Sequence, residues 1–194
     1  PNAATVTLPT FDNGTYGVTL GTRGQITGVI DHKDGNRQLV DAAGIAALND
    51  PGNGAGTVTL ESNGAVSATL KVGPTGTPAH TVRVTLYAGV DRVDIRDEIS
   101  QNFGGTVGYA SRFNLAGATI RHEEVGMIAT VARAAAGGDY ADQDARTDYL
   151  TMNHFVDLST AARGVTLSNW DSAFFQVGNS TPTTLDVPST QIRA

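Results

Sequence analysis

The chain has 194 residues, a formal net charge of −6 and no cysteine. Its length suits one ordinary domain with a hydrophobic core, and the lack of cysteine excludes disulfides, thiolate metal sites and cysteine catalysis. The 13 Lys and Arg residues against 19 Asp and Glu residues give no basic footprint for nucleic acid, and no apolar run is long enough for a membrane-spanning helix.

Apolar residues at every second position predict short β-strands along most of the chain. The clearest alternation runs through Val82, Val84 and Leu86, with Arg83 and Thr85 between them. We predict strands over 5–8, 16–20, 25–30, 57–61, 66–72, 81–86, 93–99, 109–115, 119–125, 154–158, 164–167 and 173–177. The segments 57–61 and 65–72, joined through Asn63-Gly64, form the clearest hairpin pattern.

Helix is scarce in the sequence. Only 42–48 and 142–149 could hold a couple of helical turns, and neither keeps a 3.6-residue period. Many short strands separated by turn residues predict an all-β fold, an antiparallel β-sandwich, formed as a single domain over residues 1–194.

Residues 132–148 interrupt the strand pattern and predict a long surface loop. Asp139, Asp142, Asp144 and Asp148 in this loop could offer oxygen ligands to Ca²⁺, but they lack the EF-hand pattern. We therefore favour a solvated acidic loop over a calcium site.

Searches for catalytic motifs exclude several enzyme classes. The sequence has no Gly-x-Ser-x-Gly elbow, no phosphate-binding loop and no dinucleotide fingerprint. His32, His80, His122 and His154 are too dispersed for a metal signature, so each is interpreted as a surface or strand-edge histidine. Glu123 and Glu124 are neighbours on a predicted strand and should face opposite sides, one pairing with Arg121 or Arg112 and the other in water.

The most informative cluster is Asn169-Trp170-Asp171, which contains the single tryptophan directly after a predicted strand. An aromatic face beside amide and carboxylate groups is suited to a pyranose ring, although a core tryptophan at a strand end is an equal alternative. Tyr149 and Asn153 could line the same side. The predicted carbohydrate-binding residues are Asn169, Trp170, Asp171, His154, Arg112, Glu123 and Tyr140.

Several segments, taken in order, resemble the β-rich domain that follows the catalytic domain in α-mannosidases of glycoside hydrolase family 38. Residues 11–18, 24–33 and 37–40 are similar to its opening pattern N-x-x-Y-x-V, G-x-I-x-x-L-x-D-K and R-x-L-V. Residues 82–99 resemble its L-Y-x-G-x-x-R-V-D-I hairpin. The segments 112–114, 155–159 and 164–169 resemble its R-F, F-V-D-L-S and G-V-x-L-x-N strands.

This resemblance implies a galactose-mutarotase-like supersandwich of antiparallel sheets. In such enzymes the catalytic Asp residues and the Zn²⁺ ligands lie in an N-terminal domain that has no counterpart in this chain. We therefore expect no cofactor and no catalytic activity in this chain alone, and an extracellular or periplasmic location. The chain would be either a piece of a larger glycoside hydrolase or a free-standing relative.

Three functions remain open at this point. The first is a non-catalytic domain that supports the catalytic domain of the same parent protein. The second is an independent carbohydrate-binding module, with a mannose-containing glycan as its partner. The third is an aldose epimerase, for which His154 with Glu123 or Glu124 would have to supply the acid and base.

Overall fold

The structure is a computed structural model that describes residues 2–41, 47–52, 54–102 and 104–194. It is an all-β, sandwich-like fold built from antiparallel sheets, which confirms the predicted fold class. Within the described residues, the one helical element is a three-residue 3-10 turn, Ala134–Ala136. None of the helices in these ranges has the length and apolar character to cross a membrane.

The chain divides into two compact units, Pro1–Ser111 and Arg112–Ala194. Folding of the whole chain as a single domain stays a prediction, because compactness does not decide whether the units unfold together.

The first unit contains two antiparallel sheets. One is formed, in spatial order, by β1 (Thr5–Thr7), β2 (Thr10–Asp12), β3 (Tyr16–Leu20), β4 (Ile26–Asp31) and β5 (Arg37–Gln38). The other is formed by β6 (Val58–Asn63), β7 (Ser67–Val72), β8 (His80–Tyr87) and β9 (Val93–Ile99). The short strand β10 (Ala110–Arg112) spans the boundary between the units.

Strict alternation on β8 places its apolar side chains in the core of the first unit. Val82, Val84 and Leu86 are fully buried, whereas Arg83 and Thr85 between them are partly exposed. The β6–β7 hairpin also forms as predicted, with Val58 paired to Val72 and a bulge near Leu60. The side-chain period of two, visible in the sequence, therefore sets which face of this sheet is buried.

Two further four-stranded antiparallel sheets hold the remaining strands. One is formed by β11 (Thr119–Glu124), β12 (Met127–Thr130), β14 (Phe155–Ser159) and β15 (Gly164–Ser168), in the spatial order β12-β11-β14-β15. The other has the spatial order β10-β17-β16-β13, with β13 at Leu150–Thr151, β16 at Phe174–Val177 and β17 at Gln191–Arg193. The buried His122 of β11 meets Phe175 of β16 edge-on, with ring centroids 5.1 Å apart, and so connects the two sheets.

Five strands were not predicted, namely β2, β5, β12, β13 and β17. Four of them have only two or three residues, too few to show alternation. The longest of the five, β12, was missed because Val125-Gly126 turns the chain back in two residues, with Gly126 at φ +86°.

The helical turns suggested as possible for 142–149 do not form; these residues are bends and irregular chain, in line with the loop predicted for 132–148. Side chains in this segment bind locally: Asp142 accepts a hydrogen bond from the Ala135 amide at 3.0 Å, and Asp148 pairs with Arg146 at 2.7 Å. Such side-chain contacts compete with helical hydrogen bonds. The other suggested helix, 42–48, lies outside the described residues over 42–46.

Candidate functional site

The sheet β12-β11-β14-β15 presents one buried and one exposed side. Ile120, His122, Val156 and Leu158 point to the buried side. The side chains between them on β11 and β14 lie on the opposite side, which we call the outer face; it includes Arg121, Glu123, Phe155 and Asp157. The candidate site lies at the end of the outer face where β15 ends, at Ser168.

The Trp170 side chain at this end of the sheet is almost fully exposed to solvent. Its exposed fraction is 96%, which excludes the core alternative. The loop that carries it is held by Asn169, whose side-chain oxygen accepts a hydrogen bond from the Asp171 amide at 3.2 Å and whose side-chain nitrogen donates to the Ser172 carbonyl at 3.3 Å. Asn169 therefore shapes the loop with the same amide that was predicted to bind sugar, while Asp171 remains exposed.

His154 and Glu123 lie beside this loop. The Asn169 amide donates to the His154 carbonyl at 3.1 Å, and the His154 Nδ1 lies 2.8 Å from the Glu123 Oε2. The His154 side chain is exposed. Glu123 thus pairs with His154 and not with Arg121, whose guanidinium donates to the Ser159 hydroxyl at 3.4 Å. That one of the two glutamates pairs with Arg121 or Arg112 is therefore not seen at Glu123.

The direct contact between His154 and Glu123 bears on an epimerase mechanism. A general acid and a general base must reach different atoms of one substrate. Here the two groups bind each other instead of standing on either side of a gap that a sugar could occupy. The pair is better suited to fixing the imidazole ring and presenting its second nitrogen to a ligand.

Tyr140 belongs to the buried side of the sheet. Its hydroxyl lies 2.6 Å from the His122 Nε2, and the two rings stack with centroids 6.1 Å apart. Burial lowers the pKa of His122 and raises that of Tyr140. Because His122 and Glu123 are neighbours on β11, they face opposite sides, so the structure does not bring Tyr140 to the outer face.

Glu124 turns to the same side as His122. Its carboxylate accepts a hydrogen bond from the Thr151 hydroxyl and lies 3.9 Å from the His122 Nδ1. The side chains of the two adjacent glutamates therefore lie on opposite sides of the sheet and contact different residues, as the strand geometry predicted. Arg112, the remaining predicted site residue, ends β10 and is half-buried.

The default interpretation of the histidines was wrong for two of the four. His80 and His122 are both buried, because each occupies an inward position on its strand. The buried rings keep a polar partner: the His80 Nδ1 donates to the Pro78 carbonyl at 2.8 Å, and His122 contacts Tyr140. Burial of an imidazole requires such partners.

The acidic loop uses its carboxylates within the protein. Asp139 accepts a hydrogen bond from the Thr130 amide at 2.6 Å, in addition to the contacts of Asp142 and Asp148 described above. In the described ranges, His, Asp and Glu residues form no group of three or more that could hold a metal ion. Asp139, Asp142 and Asp144 are exposed, as the solvated-loop interpretation predicts, whereas Asp148 is buried.

The chain was compared with known proteins. No protein-family model matches it, and no curated protein matches it. The resemblance to family 38 glycoside hydrolases therefore rests on the sequence motifs themselves.

The exposure of Trp170 predicts a simple optical property. Because it is the single tryptophan, the native protein should emit at the long-wavelength end of the tryptophan range, and emission should shift little on unfolding. Strong quenching by iodide in the native state is expected as well. Emission at short wavelength that moves markedly on adding urea would contradict the exposed position.

Proposed function

We propose that the outer face of the second unit binds carbohydrate, with Trp170 as its stacking platform. The observation that carries this proposal is a tryptophan exposed over 96% of its surface, next to a fixed His154–Glu123 pair and the Asp171 carboxylate. Exposing a large aromatic ring to water is unfavourable, so a ring held in this way suits a ligand that covers it. Carboxylate and imidazole groups beside it would bind hydroxyls.

A mannose-containing glycan is the first ligand to test, since the family resemblance points to it. Titration calorimetry with mannose oligosaccharides should give dissociation constants on the order of 0.1 to 1 mM, because each exchanged hydroxyl bond nets only about 0.5–1.5 kcal/mol. Trp170→Ala should abolish binding and leave the melting temperature nearly unchanged, whereas Trp170→Tyr should retain part of the affinity.

Val66→Ala provides the matched control. Val66 is an exposed apolar residue in the β6–β7 turn of the other unit, so its loss should not affect binding. A wild-type protein that binds none of the glycans offered, or a Trp170→Ala variant that binds as well as the wild type, would refute the proposal.

A second function, docking to a catalytic domain of the same parent protein, is favoured by a different observation. The turn between β11 and β12 exposes Val125, Met127 and Ile128 at the end of the sheet where Trp170 lies. Contiguous exposed apolar side chains are typical of protein interfaces. An upstream catalytic domain in the same reading frame, together with a loss of its association on Val125→Asp but no loss of sugar affinity, would favour docking.

A further inference from the structure

A polar row crosses the outer face over all four strands. Thr130, Arg121, Asp157 and Thr166 are direct cross-strand neighbours on β12, β11, β14 and β15. Neighbouring strands are separated by about 4.8 Å, so the row extends over about 14 Å. All four side chains can exchange hydrogen bonds with hydroxyl groups.

The charged members of this row keep hydrogen-bonding capacity towards solvent. Arg121 donates to the Ser159 hydroxyl at 3.4 Å, and Asp157 accepts from the Thr166 hydroxyl at 2.9 Å. Arg121 and Asp157 are direct neighbours across the two strands, but each makes its hydrogen bond to a different residue. Guanidinium donors and a carboxylate acceptor side by side match a sugar that carries neighbouring hydroxyls.

Trp170 lies further along the strand direction than the polar row, beyond the end of β15. Trp170 follows Thr166 by four residues, a distance of up to about 13 Å at the rise of an extended chain. Arg121 also lies two strands away from β15, about 10 Å across the sheet. A ligand that both stacks on Trp170 and reaches Arg121 is therefore a chain of sugars and not one monosaccharide.

The charges on this face indicate which class of glycan fits. Glu123, Asp157 and Asp171 supply carboxylates, against the single guanidinium of Arg121 and the imidazole already paired with Glu123. The chain is also acidic, with a net charge of −6. Uronate or sulfate groups would meet like charge, which opposes binding.

We propose that the outer face binds a neutral oligosaccharide across its strands, with one sugar on Trp170 and further sugars along the row of Arg121 and Asp157. This inference rests on the proposed function and adds the ligand's length and charge class to it. Affinity should therefore rise with chain length, and an oligogalacturonate should bind far less than a neutral oligosaccharide of the same length.

The test titrates mannose, mannotriose, mannohexaose and an oligogalacturonate into the wild type and into Arg121→Ala, Asp157→Asn and Arg96→Ala. Arg96 is an exposed arginine on β9 of the other unit and serves as the matched control. Arg121→Ala and Asp157→Asn should each weaken mannohexaose binding by about tenfold, as expected for a hydrogen bond to a charged group, and leave mannose binding unchanged. Arg96→Ala should bind every ligand as the wild type does.

The possible failures are distinguishable. If Trp170→Ala loses all binding while Arg121→Ala and Asp157→Asn bind mannohexaose normally, the extended site is refuted and the Trp170 platform stands. Equal affinity for mannose and mannohexaose, or stronger binding of the oligogalacturonate, also overturns the inference. A wild-type protein that binds no sugar at all refutes the proposed function together with it.

Discussion

Replacing Phe175 with alanine should lower the free energy of unfolding by about 3–5 kcal/mol, the usual cost of removing a buried aromatic side chain. Phe175 is fully buried and packs against the ring of His122, so its loss would leave a cavity between the two sheets of the second unit. Its neighbour Phe174 is more than half exposed, and Phe174→Ala should change stability by no more than about 0.5 kcal/mol. Urea unfolding followed by circular dichroism measures both.

The same experiment tests whether the two compact units form one domain. If they unfold together, Phe175→Ala shifts a single transition that all probes share. If they unfold separately, the substitution shifts one transition and leaves the other in place. Equal effects of Phe174→Ala and Phe175→Ala would mean that the alternation of β16 is assigned to the wrong face.

The comparison with Trp170 shows why exposure, and not aromatic character alone, indicates a binding role. Phe175 and Trp170 are both large aromatic side chains of the second unit, yet one is enclosed and the other is almost entirely in water. Phe175 stabilises the fold, because burial removes its apolar surface from water. Trp170 contributes little to the core, so its surface remains available for a partner.

The alternation of apolar and polar residues was the main sequence signal from which the fold could be predicted. Val82, Val84 and Leu86 could be assigned to one face from the sequence because a strand repeats every two residues, and β8 obeys that period over its full length. Prediction failed where a strand is too short to show a repeat of its two-residue period, as in β13 (Leu150–Thr151). Such short strands form because they pair with a strand that is distant in the sequence, as β13 does with β16. The local sequence does not reveal that pairing.

The candidate site was predicted less completely, because strand register decides which residues meet. Trp170, Asp171 and the proximity of His154 to the tryptophan loop were within reach of the sequence. The assignment of Tyr140 to the same side failed, because its position depends on a contact with His122 of β11. The sequence did not indicate Arg121 and Asp157 as candidate site residues, since their alignment across β11 and β14 depends on a pairing between distant segments.

The local chemistry of the tryptophan loop also limits what a motif can show. In the sequence, Asn169, Trp170 and Asp171 look like three neighbouring sugar-binding side chains. In the structure, however, the Asn169 side chain satisfies backbone groups of its own loop. Asn and Asp commonly do this in turns. The binding role that we propose therefore falls on Trp170, Asp171 and the outer face.

Gly24→Ala should lower the free energy of unfolding by about 2–5 kcal/mol. Gly24 lies in the β3–β4 turn at φ +85°, and a Cβ there would approach the Val82 Cγ2 to 2.4 Å. Val82 is fully buried on β8 and cannot move aside. The glycine thus allows the turn of one sheet to pack directly on the other sheet of the first unit.

Gly14→Ala separates the two causes of this destabilisation. Gly14 has nearly the same backbone angle, φ +80°, but a Cβ at this position would meet nothing within 4 Å. It should cost about 1–2 kcal/mol, the price of a left-handed conformation alone. The additional loss in Gly24→Ala, about 1–3 kcal/mol, then measures the steric contact with Val82. Val82→Ala in the Gly24→Ala background should recover part of that loss in urea unfolding, whereas equal costs for the two glycines would show that the turn does not pack on β8.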